Sequence, residues 1–170
     1  MPSTLASFPP SRREVSMAHP DYEAFLASFN DHGVRYLVVG AHALALHARP
    51  RATKDLDIVI ATSMANGKRV VAAVRAFFGG TPPRYVTVDE LQNEDSIVQL
   101  GVAPVRIDLI SGLATTTFTR AYNRRVQSPF GQVVASFISA PDLRAEKEHW
   151  SRPQDLADLA SLDQALRRKP

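Results

Sequence analysis

Apolar residues recur along this chain with two spacings, one typical of helices and one typical of strands. Helical spacing predicts helices over residues 21–29, 41–47, 63–78, 141–150 and 153–168. Short alternating or β-branched stretches predict strands over residues 36–39, 55–60, 85–88, 96–100, 105–110 and 132–138, with 85–88, 96–100 and 105–110 antiparallel to one another. Because helices and strands follow each other along the chain, the pattern indicates one mixed domain.

The strand predicted over residues 55–60 carries two carboxylates on one face. Side chains alternate along a strand, so Asp55 and Asp57 share a face with Val59 while the other face is apolar. Two unpaired carboxylates repel each other unless a cation or a basic group neutralises them. Their oxygens are the ligands that Mg²⁺ or Mn²⁺ prefers, so the sequence predicts a metal site here.

A third carboxylate, Asp108, lies in the apolar strand predicted over residues 105–110. An Asp in so apolar a strand needs a partner, because burying an isolated charge is costly. Two-metal sites need a bridging carboxylate and at least one more from a neighbouring strand. We therefore expect Asp108 to complete the ligand set.

A turn of small residues, Gly40 and Ala41, separates strand 36–39 from helix 41–47. Backbone N–H groups at the start of a helix favour an anion, and small side chains let a phosphate approach them closely. His42 follows directly. It is either a contact for a ligand at this turn or simply a side chain of the first helical turn.

The chain resembles the nucleotidyltransferase superfamily with the DNA polymerase β-like fold. The residues that match the signature of that family, in order, are Gly40, Asp55, Asp57 and Asp108. The resemblance covers about residues 30–162, and residues 49–57 look more narrowly like small bacterial members related to abortive-infection (AbiEii-type) toxins and minimal nucleotidyltransferases. It implies an α+β fold with a mixed twisted sheet flanked by helices and with C-terminal helices. One departure is Ala41, which stands where the family usually has Ser or Gly.

The resemblance implies metal-dependent transfer of a nucleoside monophosphate from a nucleoside triphosphate to an acceptor hydroxyl. Asp55, Asp57 and Asp108 would be the catalytic residues and the ligands of Mg²⁺ or Mn²⁺, with Asp108 also serving as a general base. The acceptor would be an RNA end such as that of tRNA, a protein or a small molecule, and the protein would be the toxin of a toxin-antitoxin pair with a cognate antitoxin. The alternative is an inactive module that binds a nucleotide or a partner, because Ala41 lacks the usual hydroxyl.

The tail also resembles that family, with Lys147 on a penultimate helix followed by Arg-Pro-Gln-Asp-Leu-Ala-Asp over residues 152–158. The resemblance makes Lys147, Arg51 and Asp155 candidates for nucleotide binding, beside Gly40 and Ala41. A simpler interpretation treats Lys147 as a solvated charge, and Asp155 as a residue that the helix dipole favours. Ser151 with Gln154 predicts a capping box, and the leucines at 156, 159, 162 and 166 predict the buried stripe of the last helix.

Length and composition agree with one domain. The 170 residues carry a net charge of +3 and no cysteine, which excludes disulfides, thiol nucleophiles and cysteine zinc sites. We predict a disordered lead-in over residues 1–20, a nucleotidyltransferase core over 21–140 and a packed helical pair over 141–168. No stretch is apolar enough to span a membrane, so a cytoplasmic protein without membrane partners is expected.

Overall fold

The computed structural model describes residues 19–102 and 104–168. The predicted lead-in lies almost wholly outside this range. The helices are α1 (Pro20–Asp31), α2 (Gly40–His47), α3 (Met64–Phe77), α4 (Val88–Gln92), α5 (Phe118–Asn123), α6 (Ala140–Trp150) and α7 (Pro153–Arg168). The strands are β1 (Tyr36–Val38), β2 (Asp55–Ile60), β3 (Ile97–Val102), β4 (Val105–Ile110), β5 (Val126–Phe130) and β6 (Val133–Phe137).

The strands form one mixed sheet in the order β3-β4-β2-β1-β6-β5. Strand β2 pairs parallel with β4, and β1 pairs parallel with β6, while the other neighbouring pairs are antiparallel. Helix α1 packs on α3, and α2 contacts β2, α6 and α7. The predicted α+β class, with helices flanking a mixed sheet and two helices at the C-terminal end, is confirmed.

The core lies between the sheet and its helices. Its largest fully buried side chains include Phe25 and Phe29 of α1, Leu56 and Ile58 of β2, and Leu109 of β4. Leu56 and Ile58 belong to the face of β2 that was predicted to be apolar. The face with the carboxylates is therefore left to point away from this core.

The strand predicted over residues 85–88 is wrong. Val86 is buried as a strand residue would be, but α4 begins at Val88. The Thr87 hydroxyl accepts a hydrogen bond from the Glu90 N–H, and Asp89 and Glu90 stand in the first turn, where the helix dipole favours acidic residues. These capping signals outweigh a short apolar alternation.

Besides α4, two further elements were not predicted. Helix α5 is short and capped by the Thr117 hydroxyl. Strand β5 has the sequence Val-Gln-Ser-Pro-Phe and lies at an edge of the sheet. A proline, which has no N–H to donate, is tolerated there because one side of an edge strand has no partner strand. It forms a hairpin with β6, so pairing rather than side-chain alternation defines it.

The predicted capping box of α7 is wrong, and the predicted leucine stripe is confirmed only in its middle, where Leu162 is fully buried and Leu159 is half-buried. Leu156 and Leu166 are 54% and 40% exposed, whereas Asp155 and Asp158 are buried on the same side as Leu162. Ser151 ends α6 in a left-handed conformation with φ of 48°, and its hydroxyl donates to the Glu148 carbonyl. Helix α7 therefore packs through carboxylates that have cationic partners. In the described part of the chain no helix combines the length and the apolar character that crossing a bilayer requires.

Candidate functional site

The parallel pairing of β2 with β4 brings the predicted acidic residues together. Asp57 lies directly opposite Asp108, and Asp55 lies opposite Arg106. These four residues and Gly40 line one cavity of about 400 Å³. That volume falls in the range of small-molecule sites, roughly 300–1,000 Å³.

The turn at Gly40 is packed against the carboxylate of Asp57. Gly40 has a φ of +62°, and a Cβ added there would lie 2.2 Å from Asp57 Oδ2. The Val39 N–H donates to the Asp57 carbonyl at 2.9 Å, which holds the start of α2 against β2. Both the backbone conformation and the space therefore require glycine at this position.

Asp57 carries the most perturbed carboxyl of the group. Its pKa is raised to about 6, mainly by burial and also by the neighbouring charges of Asp108 and Asp55, against the lowering effect of Lys147 and Arg106. Its carboxylate makes no hydrogen bond within the described residues. Burial also raises the pKa of Asp108, and the Arg106 guanidinium opposes this. The cavity therefore has an excess of negative charge.

Arg106 is the residue that the sequence analysis missed. Its Nη2 donates to Asp55 Oδ2 at 2.8 Å and to Asp108 Oδ2 at 3.2 Å. Alternation along β4 places it on the face of Asp108, which is the signal that could have found it. It neutralises part of the acidic cluster.

The carboxylate oxygens of this cluster are suitable ligands for a divalent cation. Asp108 Oδ1 is buried and has no hydrogen-bond partner, and the Asp57 carboxylate is also free of hydrogen bonds. Among residues 19–102 and 104–168 no three acidic or histidine side chains are gathered as a ready-made ligand set. Arg106 holds one oxygen each of Asp55 and Asp108, so a cation would have to compete with it. The residue types fit Mg²⁺ or Mn²⁺.

Lys147 is buried and is not a solvated charge. Its Nζ lies 3.2 Å from Asp155 Oδ1 and 2.7 Å from Asp158 Oδ2. Arg51 donates two hydrogen bonds to Asp158, and Arg152 Nε donates to Asp155 Oδ2 at 2.7 Å. Three cationic side chains thus share two carboxylates, which leaves one positive charge beside the cavity that Lys147, Arg152 and Asp155 help to line.

This network perturbs both of its carboxyls in the same direction. Burial raises the pKa of Asp155 and Asp158, but hydrogen bonds from Arg152, Arg51 and Lys147 outweigh burial and lower both pKa values. The two aspartates therefore stay ionised. The helix dipole alone does not account for their position, because they are buried and paired.

Three of the candidate residues do not line the cavity, namely Ala41, His42 and Arg51. The Ala41 side chain is buried in the first turn of α2. The His42 ring packs against the rings of Tyr22 and Phe130, and burial lowers its pKa to about 4. The Arg51 guanidinium points to Asp158. Arg51 is therefore linked to the cavity through Asp158, which also pairs with Lys147.

Comparison with solved structures bears on the fold. The chain is similar to the crystal structure of a Thermotoga maritima protein that has been proposed to be a nucleotidyltransferase. The match has a TM-score of 0.52 and 12% sequence identity, and covers 90% of this chain and 97% of that chain. No protein-family model and no curated protein matches the chain significantly. The chain therefore has the nucleotidyltransferase fold.

Proposed function

We propose that this protein is a metal-dependent nucleotidyltransferase that moves a nucleoside monophosphate from a nucleoside triphosphate to an acceptor hydroxyl. One observation carries the proposal: Asp57 lies opposite Asp108 in the β2–β4 register and under the Gly40 turn, in a single cavity. A carboxylate pair supplies cation ligands, and the start of a helix supplies N–H groups for phosphate. Both are needed to hold a metal-bound triphosphate.

Asp55, Asp57 and Asp108 would hold Mg²⁺ or Mn²⁺. When bound, this cation offsets the charge of the triphosphate and acidifies the acceptor hydroxyl. Gly40 and Ala41, at the start of α2, would seat the β- and γ-phosphates through their backbone N–H groups. Lys147, with the positive charge that its network retains, adds attraction for the phosphates.

In the reaction the acceptor oxygen attacks the α-phosphorus, and the bond from that phosphorus to the bridging oxygen breaks. Pyrophosphate leaves with the electron pair. Asp108 Oδ1, which has no hydrogen-bond partner, takes the proton of the acceptor hydroxyl. Burial raises the pKa of Asp108, which makes its carboxylate a stronger base than that of an exposed aspartate.

The test is incubation of the purified protein with each α-labelled nucleoside triphosphate, Mg²⁺ and either total cellular RNA or a protein lysate. Asp57→Asn removes a proposed ligand, and Asp31→Asn removes an exposed carboxylate at the end of α1 as a matched control. We expect the wild type and Asp31→Asn to transfer label, and Asp57→Asn to transfer none. Full transfer by Asp57→Asn would refute the assignment.

The labelled fraction identifies the acceptor as RNA, protein or a small molecule. Nucleotide binding without transfer would favour the alternative, a module that binds nucleotide without turnover. Two observations favour that alternative: Ala41 lacks a hydroxyl, and Arg106 holds the oxygens that a metal would take.

The toxin role has a separate test. If the protein is the toxin of a toxin-antitoxin pair, its induced expression in a bacterial host arrests growth, and the cognate antitoxin restores growth. Asp57→Asn would not arrest growth. Arrest by both forms would separate toxicity from nucleotidyl transfer.

A further inference from the structure

The chain has a single tryptophan, Trp150, and it lies at the rim of the candidate site. It is the last residue of α6 and lines the cavity, yet 56% of it is exposed. Burying a tryptophan stabilises a protein through its large apolar area, and an exposed tryptophan contributes much less to stability. The ring makes an edge-to-face contact with the His149 ring, with 5.1 Å between their centroids, and the exposed part of Trp150 remains accessible to a ligand.

We propose that Trp150 is the platform on which the nucleobase of the bound nucleoside triphosphate stacks. The inference rests on the proposed function, since it places the base of the same nucleotide whose phosphates meet Gly40 and the carboxylates.

The sheet under the cavity changes from charged to apolar along the strands. The β2–β4 register pairs Asp55 with Arg106, then Asp57 with Asp108, then Val59 with Ile110. The β3–β4 register adds Ile97 to the last row. Each row lies about 7 Å from the one before it on the same face, because the strand rises about 3.3 Å per residue. A triphosphate at the charged rows therefore has an apolar surface beside it for a ring.

Helix α6 also presents both charged and apolar side chains to the cavity. Leu143, Glu146, Lys147 and Trp150 follow each other at helical spacing and all line the cavity. Lys147 is one turn before Trp150, so the cationic group and the aromatic ring lie on the same side of the helix. A ligand with an anionic part and a flat aromatic part matches this pair of groups.

Glu146 fixes the loop that follows β4 against the same helix. Its carboxylate accepts hydrogen bonds from the Ala114 N–H at 3.0 Å and from the Thr115 N–H at 2.7 Å. This loop contributes Gly112, Leu113 and Ala114 to the cavity wall. The apolar end of the cavity is therefore held in place before a ligand arrives, which lowers the cost of ordering on binding.

A stacking platform predicts broad base tolerance, because every base has a π-face. Glu146 lies one turn before Trp150 on the cavity side of α6, and both of its carboxylate oxygens are engaged with the loop, so it does not read a base edge. We therefore expect all four nucleoside triphosphates to bind through Trp150 with similar affinity.

The single tryptophan makes the test direct, since intrinsic tryptophan fluorescence reports on Trp150 alone. The wild type is titrated with each nucleoside triphosphate, with inorganic tripolyphosphate and with a short RNA oligonucleotide. Nucleoside triphosphates should quench the fluorescence, and tripolyphosphate should compete with them without quenching. Quenching by the RNA alone would overturn the inference, because the platform would then serve the acceptor.

Equilibrium dialysis with labelled nucleoside triphosphate separates the two proposals. Trp150→Ala should weaken binding roughly 5- to 150-fold, the fold-change that corresponds to one lost base stack, and Trp150→Phe should keep most of the affinity. Phe78→Ala removes another exposed aromatic side chain, far along the chain, and should leave the affinity unchanged.

Equal affinity of Trp150→Ala and the wild type, with no quenching, would overturn the stacking inference and leave the proposed function standing. Absence of nucleotide binding by the wild type would overturn both.

Discussion

Replacing Asp57 by Asn should make the metal-free protein more stable at neutral pH while it abolishes metal binding. In the folded protein burial raises the pKa of Asp57 from 3.8 to about 6. The folded state therefore holds the proton more tightly than the unfolded state does. As the pH rises from about 4 to about 6, the unfolded state ionises first and the wild type loses stability; above about 6 the loss is complete.

The size of this loss follows from the pKa difference. Each pKa unit corresponds to about 1.36 kcal/mol, so the difference sets an upper limit of about 3 kcal/mol. Because Asp57 is only partly buried, we expect roughly 1 to 3 kcal/mol. For a chain of this size 1 kcal/mol moves the melting temperature by about 2 to 4 °C. Asp57→Asn should therefore melt several degrees higher than the wild type at pH 8 in the presence of a chelator.

Thermal unfolding of the wild type, Asp57→Asn and Asp31→Asn at pH 4.5 and pH 8 tests this. The advantage of Asp57→Asn should be larger at pH 8, and Mg²⁺ should raise the melting temperature of the wild type and Asp31→Asn alone. Mg²⁺ at ten times its dissociation constant should add about 1.4 kcal/mol to the free energy of unfolding. The reasoning is refuted if Asp57→Asn is less stable than the wild type at pH 8 without metal, or if Mg²⁺ stabilises it equally.

Three further variants test other parts of the site. Gly40→Ala should lower the melting temperature more than Gly33→Ala, because φ is +62° and +64° at the two positions but only Gly40 has a carboxylate where the Cβ would lie. Lys147→Met should cost about 1 to 3 kcal/mol in chemical denaturation, since Asp155 and Asp158 lose that partner but keep Arg152 and Arg51. The exposed Lys68→Met is the control, and equal losses would contradict the buried network. The folded-state pKa of His42 is about 4, below its usual 6.5, so the wild type loses stability as the pH falls from about 6.5 to 4. His42→Gln should remove roughly 1 to 3 kcal/mol of this loss when its pH profile is compared with that of the wild type, and identical profiles would contradict the prediction.

The acidic strands could be predicted because their signal is local. The period-two pattern of residues 55–60 predicted β2 within its observed bounds, and the same pattern predicted β4. A carboxylate within an apolar strand stands out in a sequence. The pairing that brings Asp57 opposite Asp108 joins residues 51 positions apart. It was expected from the ligands that a two-metal site needs and from the resemblance to a known fold, not from any local pattern.

The cationic partners could not be predicted from their neighbours along the chain. Lys147 stands between Glu146 and Glu148, which suggests a solvated helix face, but it is buried against the two carboxylates of α7. Arg106 is two residues before Asp108 and also binds Asp55 of the neighbouring strand. Such contacts depend on how elements pack. Alternation along β4 could place Arg106 on the face of Asp108, but no pattern within one element indicates its contact with Asp55 or the burial of Lys147.

The most direct test of the account follows the two ends of the triphosphate separately. Purified protein is incubated with Mg²⁺, total RNA or lysate, and the same nucleoside triphosphate labelled at either the α- or the γ-phosphorus. The account predicts that the α-label is transferred to an acceptor and that the γ-label is released as pyrophosphate, with neither product formed by Asp57→Asn. Transfer of the γ-label to the acceptor would identify a phosphoryl transferase and contradict the central claim.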